Sequence, residues 1–526
     1  MSEILFHYKR PDPTTWVYLS SFLTIGLFFV FHRFWSMRNL DLVLLILLAP
    51  GLLIVYEGRR GRMLEEAAAK SAEARAAEEA ESKPITADVG GPNGPDGPNG
   101  LNSNDGGETP PAATVTNAST SAADQDAAAS PEAGESSAES AAADLSPVIS
   151  TFAARDIERY GFVWMLFVQV LILLRLLFDP LMVRRPLLDP NLTAGGLMFI
   201  GIWLFIFMMA NVITSTPRMQ DEQGPRLGPG YSLMNMLPAI ITRPTASGGD
   251  AAMVTPRSDP EGTDAPKPPP TPYVVLARVL AIVSHLAIVL GIVAIGHRHF
   301  GNSRGGIGCA TLYLLLPYTA QMTGRVDHAL PAAFLVWAVF SYRRPFFAGF
   351  FLGGAAGLVY YPLFLLPLWI SFYRQRGAGR FVAGVGLALM IMMALLEIAG
   401  SLPLRDHLRR MFGLMMPLMN GLQGVWGLGW EPIYRLPLMV GFLILSGFFA
   451  LWPAEKNLGT LIAYSSALMV AAQFWHAYGG GLYMAWFLPL LLLTIFRPNL
   501  EDRIAAKVID AGPQLRVKRP RIADVA

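Results

Sequence analysis

The chain has 526 residues, 53% of them hydrophobic and 15% charged, with a formal net charge of +2. A positive mean hydropathy at this length, in apolar runs without strand-like alternation, excludes an ordinary soluble domain and a β-barrel. The single cysteine, Cys309, excludes an internal disulfide and a cysteine-based metal centre.

The first 63 residues hold two apolar runs, about 16–34 and 40–56, each close to the length that crosses a bilayer as a helix. Arg33 and Arg38 mark the turn between them, and Arg59, Arg60 and Arg62 close the pair. The apolar run from Trp16 is too long for a cleavable signal. Residues 64–150 are a different material. From Leu64 to Ser146 there are 16 acidic and 3 basic residues in an Ala/Ser/Gly/Pro-rich context with almost nothing apolar to bury, which predicts a disordered acidic segment. The rest of the chain is correspondingly basic, as expected of loops facing an anionic leaflet rather than nucleic acid.

From 151 to 500 the sequence predicts a polytopic membrane domain. Apolar runs fall at about 161–178, 195–213, 274–296, 307–323, 329–341, 346–359, 362–373, 381–399, 436–452, 458–474 and 482–496. Two long loops, 214–272 and 400–435, interrupt them. Within the first, Tyr231–Ile241 is too short to span and carries Pro238, which suits an interfacial or re-entrant helix. The basic residues of the tail 501–526 place it in the cytoplasm. The fold class expected is an all-α polytopic integral membrane protein of about 12–14 transmembrane helices.

The stretch Gly324 to Arg380 sets the orientation. Basic clusters at Arg343-Arg344 and at Arg374, Arg376 and Arg380 flank one apolar segment broken by Tyr360-Tyr361-Pro362. A single crossing would leave one cluster on the wrong side, so a hairpin turning at the tyrosines is expected, with both clusters inside. Counting back from the tail puts the loops 214–272 and 400–435, and the turn Gly324–His328, outside. With about thirteen crossings Arg59-Arg60-Arg62 also falls outside, against the usual bias of positive residues; a fourteenth, through Tyr231–Ile241, would reverse that.

No phosphate-binding glycine loop, dinucleotide fingerprint, HExxH or GxSxG is present. Chemistry must then come from polar groups in the outer turns. Asp221-Glu222, at the end of a span, suits a general base on an incoming hydroxyl, and equally a solvated loop acid. Asp189 and Asp179 take the base's place if the topology reverses. Arg325, Asp327 and His328 fit either a phosphate contact or an internal ion pair. Arg405 and Arg409, near Trp426 and Trp430, suit a lipid phosphate beside a stacked sugar, or ordinary interfacial anchoring. Tyr360, Tyr361 and His476 lie in aromatic turns that can line a sugar site or sit at the interface.

The order of these features resembles the membrane-embedded C-type (GT-C) glycosyltransferases, in particular the bacterial polyprenyl-phosphate-mannose-dependent mannosyltransferases. The resemblance is carried by Gly324-Arg325-Val326-Asp327, Arg344-Pro345, Ala348-Gly349-Phe350-Phe351-Leu352-Gly353, Tyr360-Tyr361-Pro362 and Leu365-Leu366-Pro367, and by the final run from Trp475 through Trp486 to Leu493. It covers about 270–500. The family's lysine at the break corresponds to Val359 here. The resemblance implies sugar transfer from a polyprenyl-phosphate donor, without a separate cofactor, at the outer face of a bacterial inner membrane. Asp221 would be the base beside Glu222, and Arg325, Arg405 and Arg409 would hold the lipid phosphate. A non-catalytic scaffold of the same fold is the second expectation. A transporter ranks below both because no inverted repeat of broken spans is visible.

Overall fold

A computed structural model describes residues 13–81, 154–182, 188–218, 229–240, 271–399, 405 and 422–498. The chain divides into two units, one formed by Met1–Arg60 with Ala154–Ala526, the other by Gly61–Ala153. In the second unit the described part, 61–81, is helical. Most of the acidic segment, the tail 501–526 and large parts of both long loops lie outside the described residues.

Among the described residues, seven helices are long and apolar enough to cross a membrane: Met37–Arg62, Ala154–Leu181, Ala194–Thr214, Thr271–Arg298, Ala378–Ile398, Pro432–Leu451 and Leu458–Trp475. Four shorter apolar helices, Thr14–Phe28, Val326–Phe340, Pro345–Leu358 and Tyr361–Phe372, lie among them. The chain is therefore a multi-pass α-helical membrane protein. Strand among the described residues is confined to two short ladders. β1 (Pro217–Arg218) pairs antiparallel with β2 (Ala239–Ile240), and β3 (Gln423–Gly424) pairs parallel with β4 (Tyr478–Gly480).

We number the helices α1 (Pro13–Phe28), α2 (Met37–Glu81), α3 (Ala154–Leu177), α4 (Ala194–Thr214), α5 (Pro229–Asn235), α6 (Thr271–Arg298), α7 (Ser303–Leu315), α8 (Pro317–Gln321), α9 (Val326–Phe340), α10 (Pro345–Leu358), α11 (Leu366–Phe372), α12 (Ala378–Ala399), α13 (Arg435–Leu451), α14 (Leu458–Trp475) and α15 (Leu488–Phe496). Local chemistry sets their starts. Thr193, Asn302 and Asn457 accept from the backbone N–H three residues on, and Pro317 and Pro345 occupy first helical positions. α14 is the central helix, with 94% of its apolar window buried, against 22% for α4. Glycines let α10 and α12 touch backbone to backbone. A Cβ on Gly349 would lie 2.0 Å from the Phe381 carbonyl oxygen, and one on Gly384 2.1 Å from that of Phe346.

In place of 12–14 full spans, the described residues show seven long helices, the buried α14 among them, and several short or broken ones. The run 307–323 breaks at Leu316-Pro317, where the chain leaves α7 and restarts as α8. The run 482–496 is α-helical only as α15, nine residues long, or about 14 Å against about 30 Å of hydrocarbon. Its first part holds no α-helix, only the single 3-10 turn Met484–Trp486 between irregular stretches. The described part of Tyr231–Ile241, which ends at Ile240, does not span: it holds the last five residues of the seven-residue α5, and Gly230 packs against Gly357 and Leu358 of α10.

Contacts sort the passes into two ends. At one, the Tyr361 hydroxyl bonds His476, Trp486 bonds the Asp327 carbonyl, Arg59 pairs with Glu158, and Arg435 bonds the Trp475 carbonyl. At the other, Arg497 reaches Asp179, Arg175 reaches Asp41, Lys456 reaches Ser371, and the Tyr373 hydroxyl donates to the Tyr342 carbonyl. The hairpin is thus present: Tyr361 sits at one end, while the turns bearing Arg343-Arg344 and Arg374 lie together at the other. Arg59 lies at the Tyr361 end with Arg325.

Candidate functional site

The Tyr361 end is built on the irregular stretch between α14 and α15. Backbone at membrane depth must find its hydrogen bonds inside the protein. Here Gln473 accepts from the N–H groups of Gly481 and Tyr483 at 3.3 and 3.2 Å, and Gln169 donates to the Gly481 carbonyl at 2.8 Å. Gly479 and Gly481 take φ of +82° and +95°, which lets the chain reverse in the little space available. At Gly480 a Cβ would meet the Gln473 carbonyl oxygen at 2.3 Å, so only glycine fits. The turn therefore presents Tyr483 and Trp486 on a rigid support.

Tyr483 is the centre of the cluster. Its ring stacks on His328 and on Trp486, each at 4.4 Å between centroids, and His476 meets it edge-on at 4.7 Å. Its hydroxyl lies near that of Tyr231. His328 Nδ1 lies 2.5 Å from the Tyr318 hydroxyl, and its Nε2 3.7 Å from Asp327. Asp327, at the start of α9, accepts from Arg325 through two nitrogens at 2.9 and 2.7 Å. On the other flank Tyr360 donates to the Tyr361 hydroxyl at 3.0 Å, and that hydroxyl lies 2.6 Å from His476 Nδ1. Trp475 packs edge-on against Tyr361.

Six residues singled out in sequence thus come together: Arg325, Asp327, His328, Tyr360, Tyr361 and His476. The alternative acids do not join them. Asp179 is fully buried at the opposite end, held by Arg175 at 3.0 Å and Arg497 at 2.5 Å. Asp189 is exposed at that same end, where its carbonyl accepts from Arg38. Arg405 is exposed, and its neighbours in sequence lie outside the described residues. Asp221, Glu222 and Arg409 lie outside the described residues.

Sequence reasoning missed Arg59, Glu158, Gln169, Tyr231, Tyr483 and Trp486 as site members. Gln169, a lone amide within an apolar run, was the legible signal; the aromatics were hidden among ordinary span residues. Val359, at the break between α10 and Tyr361, is fully buried. Among the described residues no three of His, Cys, Asp and Glu gather to hold a metal ion. Beside the cluster runs an apolar cleft lined by Leu45, Leu48 and Leu52 of α2 and by Pro317, Tyr318 and Met484.

No family model, curated protein or solved structure matches the chain.

Proposed function

We propose that the chain is a membrane glycosyltransferase of the C type, moving a sugar from a polyprenyl-phosphate donor to an extracytoplasmic acceptor. The observation that carries this reading is the convergence of Arg325, Asp327, His328, Tyr360, Tyr361 and His476 at one end of the bundle. Aromatic faces and buried hydroxyls of this kind suit a sugar, and a guanidinium suits its phosphate. The opposite end carries the turns with Arg298, Arg304, Arg343, Arg344, Arg374, Arg376 and Arg380, which favours the cytoplasm for that end and the outer face for the cluster.

In this reading the acceptor hydroxyl attacks the anomeric carbon, the bond from that carbon to the phosphate oxygen breaks, and polyprenyl phosphate leaves. The acceptor's proton passes to Asp221, with Glu222 beside it. Cations near the departing phosphate stabilise the charge that develops on it. The membrane is the bacterial inner membrane.

A second reading, a non-catalytic scaffold of the same architecture, draws on two observations. Asp327 is closed by its two-point pair with Arg325, and position 359 offers valine where the family offers a cation. Incubating the purified protein in nanodiscs with labelled polyprenyl-phosphate mannose or glucose separates the two. Loss of label from the lipid, abolished by Asp221→Ala, is the expected result. Label retained with every acceptor fraction supplied leaves the scaffold as the reading.

A further inference from the structure

Most polar members of the Tyr361-end cluster are covered by protein in this structure. Tyr231, Asp327, His328, His476 and Tyr483 are all buried. Two groups break the pattern. The side chains of Arg59 and Arg325 are 34% and 33% exposed, while their carboxylate partners, Glu158 and Asp327, are 2% and 3% exposed. Each arginine is anchored from beneath by a buried acid and open above.

The anchoring leaves donors over. Glu158 takes only Nε of Arg59, at 2.9 Å; among the described residues the two terminal nitrogens of Arg59 make no hydrogen bond. Asp327 takes Nε and Nη2 of Arg325 and leaves Nη1. The Arg59 guanidinium is also fixed by the Phe162 ring below it, 5.6 Å from its centroid, and by the turn at Gly479, whose Cβ position lies 3.9 Å from Nη2. Arg325 is bound to Asp327, next to His328 whose ring stacks on Tyr483, and Arg59 lies against the glycine turn that leads into Tyr483. Both arginines thus belong to the surroundings of Tyr483 although they come from α2 and from the turn before α9.

We propose that Arg59 and Arg325 form a two-guanidinium clamp for a phosphate group, with Arg59 supplying the second cation. The ligand class follows from what is open: planar N–H forks, pre-oriented by buried acids, match phosphate oxygens geometrically as well as by charge. The clamp also accounts for a basic residue at the end where positive charges are normally scarce. It rests on the reading of the cluster as a lipid-phosphate site and names a residue for it outside the stretch that resembles the family.

The test uses the full chain in nanodiscs and reads binding, independently of turnover. The probes are a short-chain polyprenyl phosphate, the matching alcohol and inorganic phosphate. Arg59→Gln should weaken the lipid phosphate about tenfold or more, with Arg59→Lys recovering part of it. Because Arg59→Gln removes the cation paired with the buried Glu158, the decisive variant is Arg59→Gln with Glu158→Gln, which removes both charges of the pair and should bind as weakly. Arg60→Gln, whose guanidinium is 3.9 Å from Glu57 on the exposed side, should bind as the parent does. Lipid phosphate bound tenfold more tightly than inorganic phosphate, with the alcohol not bound, identifies the lipid as the source; equal binding of both phosphates identifies free phosphate. An Arg59/Glu158 double variant binding like the parent overturns the clamp and leaves the transfer reading standing. Arg59-dependent binding without sugar transfer does the reverse.

Discussion

The molecule carries a buried charge group at each end, and they are built differently. At the Asp179 end, Asp41, Arg175, Asp179 and Arg497 form a closed lattice: Arg175 bonds both acids, Arg497 bonds Asp179, and all four side chains are 8% exposed or less. Every formal charge meets its opposite inside the group, and the lattice joins α2, α3 and the end of α15. At the Tyr361 end the acids are equally buried, but their partners Arg59 and Arg325 reach the surface, and aromatic rings and irregular backbone replace regular helix ends. A closed lattice has nothing to offer a ligand; a group open on its cationic side does. The comparison separates charges that hold passes together from charges that can bind.

The largest expected effect breaks the closed group. Asp179→Asn leaves Arg497 without its carboxylate in a dry site, and losing one partner of a buried pair costs about 3–5 kcal/mol. The expected outcome is a sharply lowered unfolding temperature in detergent. Adding Arg497→Gln should restore part of it, because Arg175 retains Asp41. If Asp179→Asn unfolds at the parental temperature, the lattice is not what fastens that end.

Next comes the support of the open group. Gly480→Ala forces a methyl onto the Gln473 carbonyl oxygen, and overpacking of this kind costs about 1–3 kcal/mol. Here stability and phosphate binding should fall together, since the turn carries Tyr483. Gly386→Ala, on α12 with no atom within 4 Å of the new Cβ, is the matched control and should change neither.

The contrast between the ends also marks what the sequence could reveal. The helical membrane class and the hairpin were legible, because apolar run length and basic clusters act locally along the chain. Arg325, Asp327 and His328 were legible as a group because they are neighbours in one turn. The partners across the fold were not. Arg497 lies 318 residues from Asp179, and Gln169 lies 312 residues from Gly481. Nothing in the local pattern of Asp179-Pro180 distinguishes an acid locked between two arginines from an acid in a loop. Broken spans were illegible for a related reason. Pro489 marks a helix start only once Gln473 and Gln169 are known to satisfy the backbone before it.

A smaller effect is expected inside the cluster. Tyr361→Phe deletes the hydroxyl that faces His476 and accepts from Tyr360, and a net hydrogen bond is worth about 1 kcal/mol. Stability should fall modestly. In the transfer reading the catalytic rate should fall while Arg59-dependent phosphate binding holds, because Tyr361 lies on the sugar flank rather than at the clamp. A drop in phosphate affinity matching that of Arg59→Gln would merge the two flanks into one site.

The smallest effect concerns how the loop before α13 is held. Arg159 of α3 sits over the Trp430 ring at 5.5 Å, and Arg155 reaches the Gly427 carbonyl at 3.5 Å. Trp430 is half open to its surroundings, so the stacking is worth about 0.5–1 kcal/mol. Trp430→Leu should leave the unfolding temperature nearly unchanged and speed hydrogen exchange of the amides in 422–430. The strand pairing of Gln423 and Gly424 with the Tyr478–Gly480 turn limits how far that loosening can spread. Exchange confined to the loop means that the open group stands on its glycine turn alone. Exchange reaching Gly481 would make the loop a second support, and the two ends would then differ less than their charge patterns suggest.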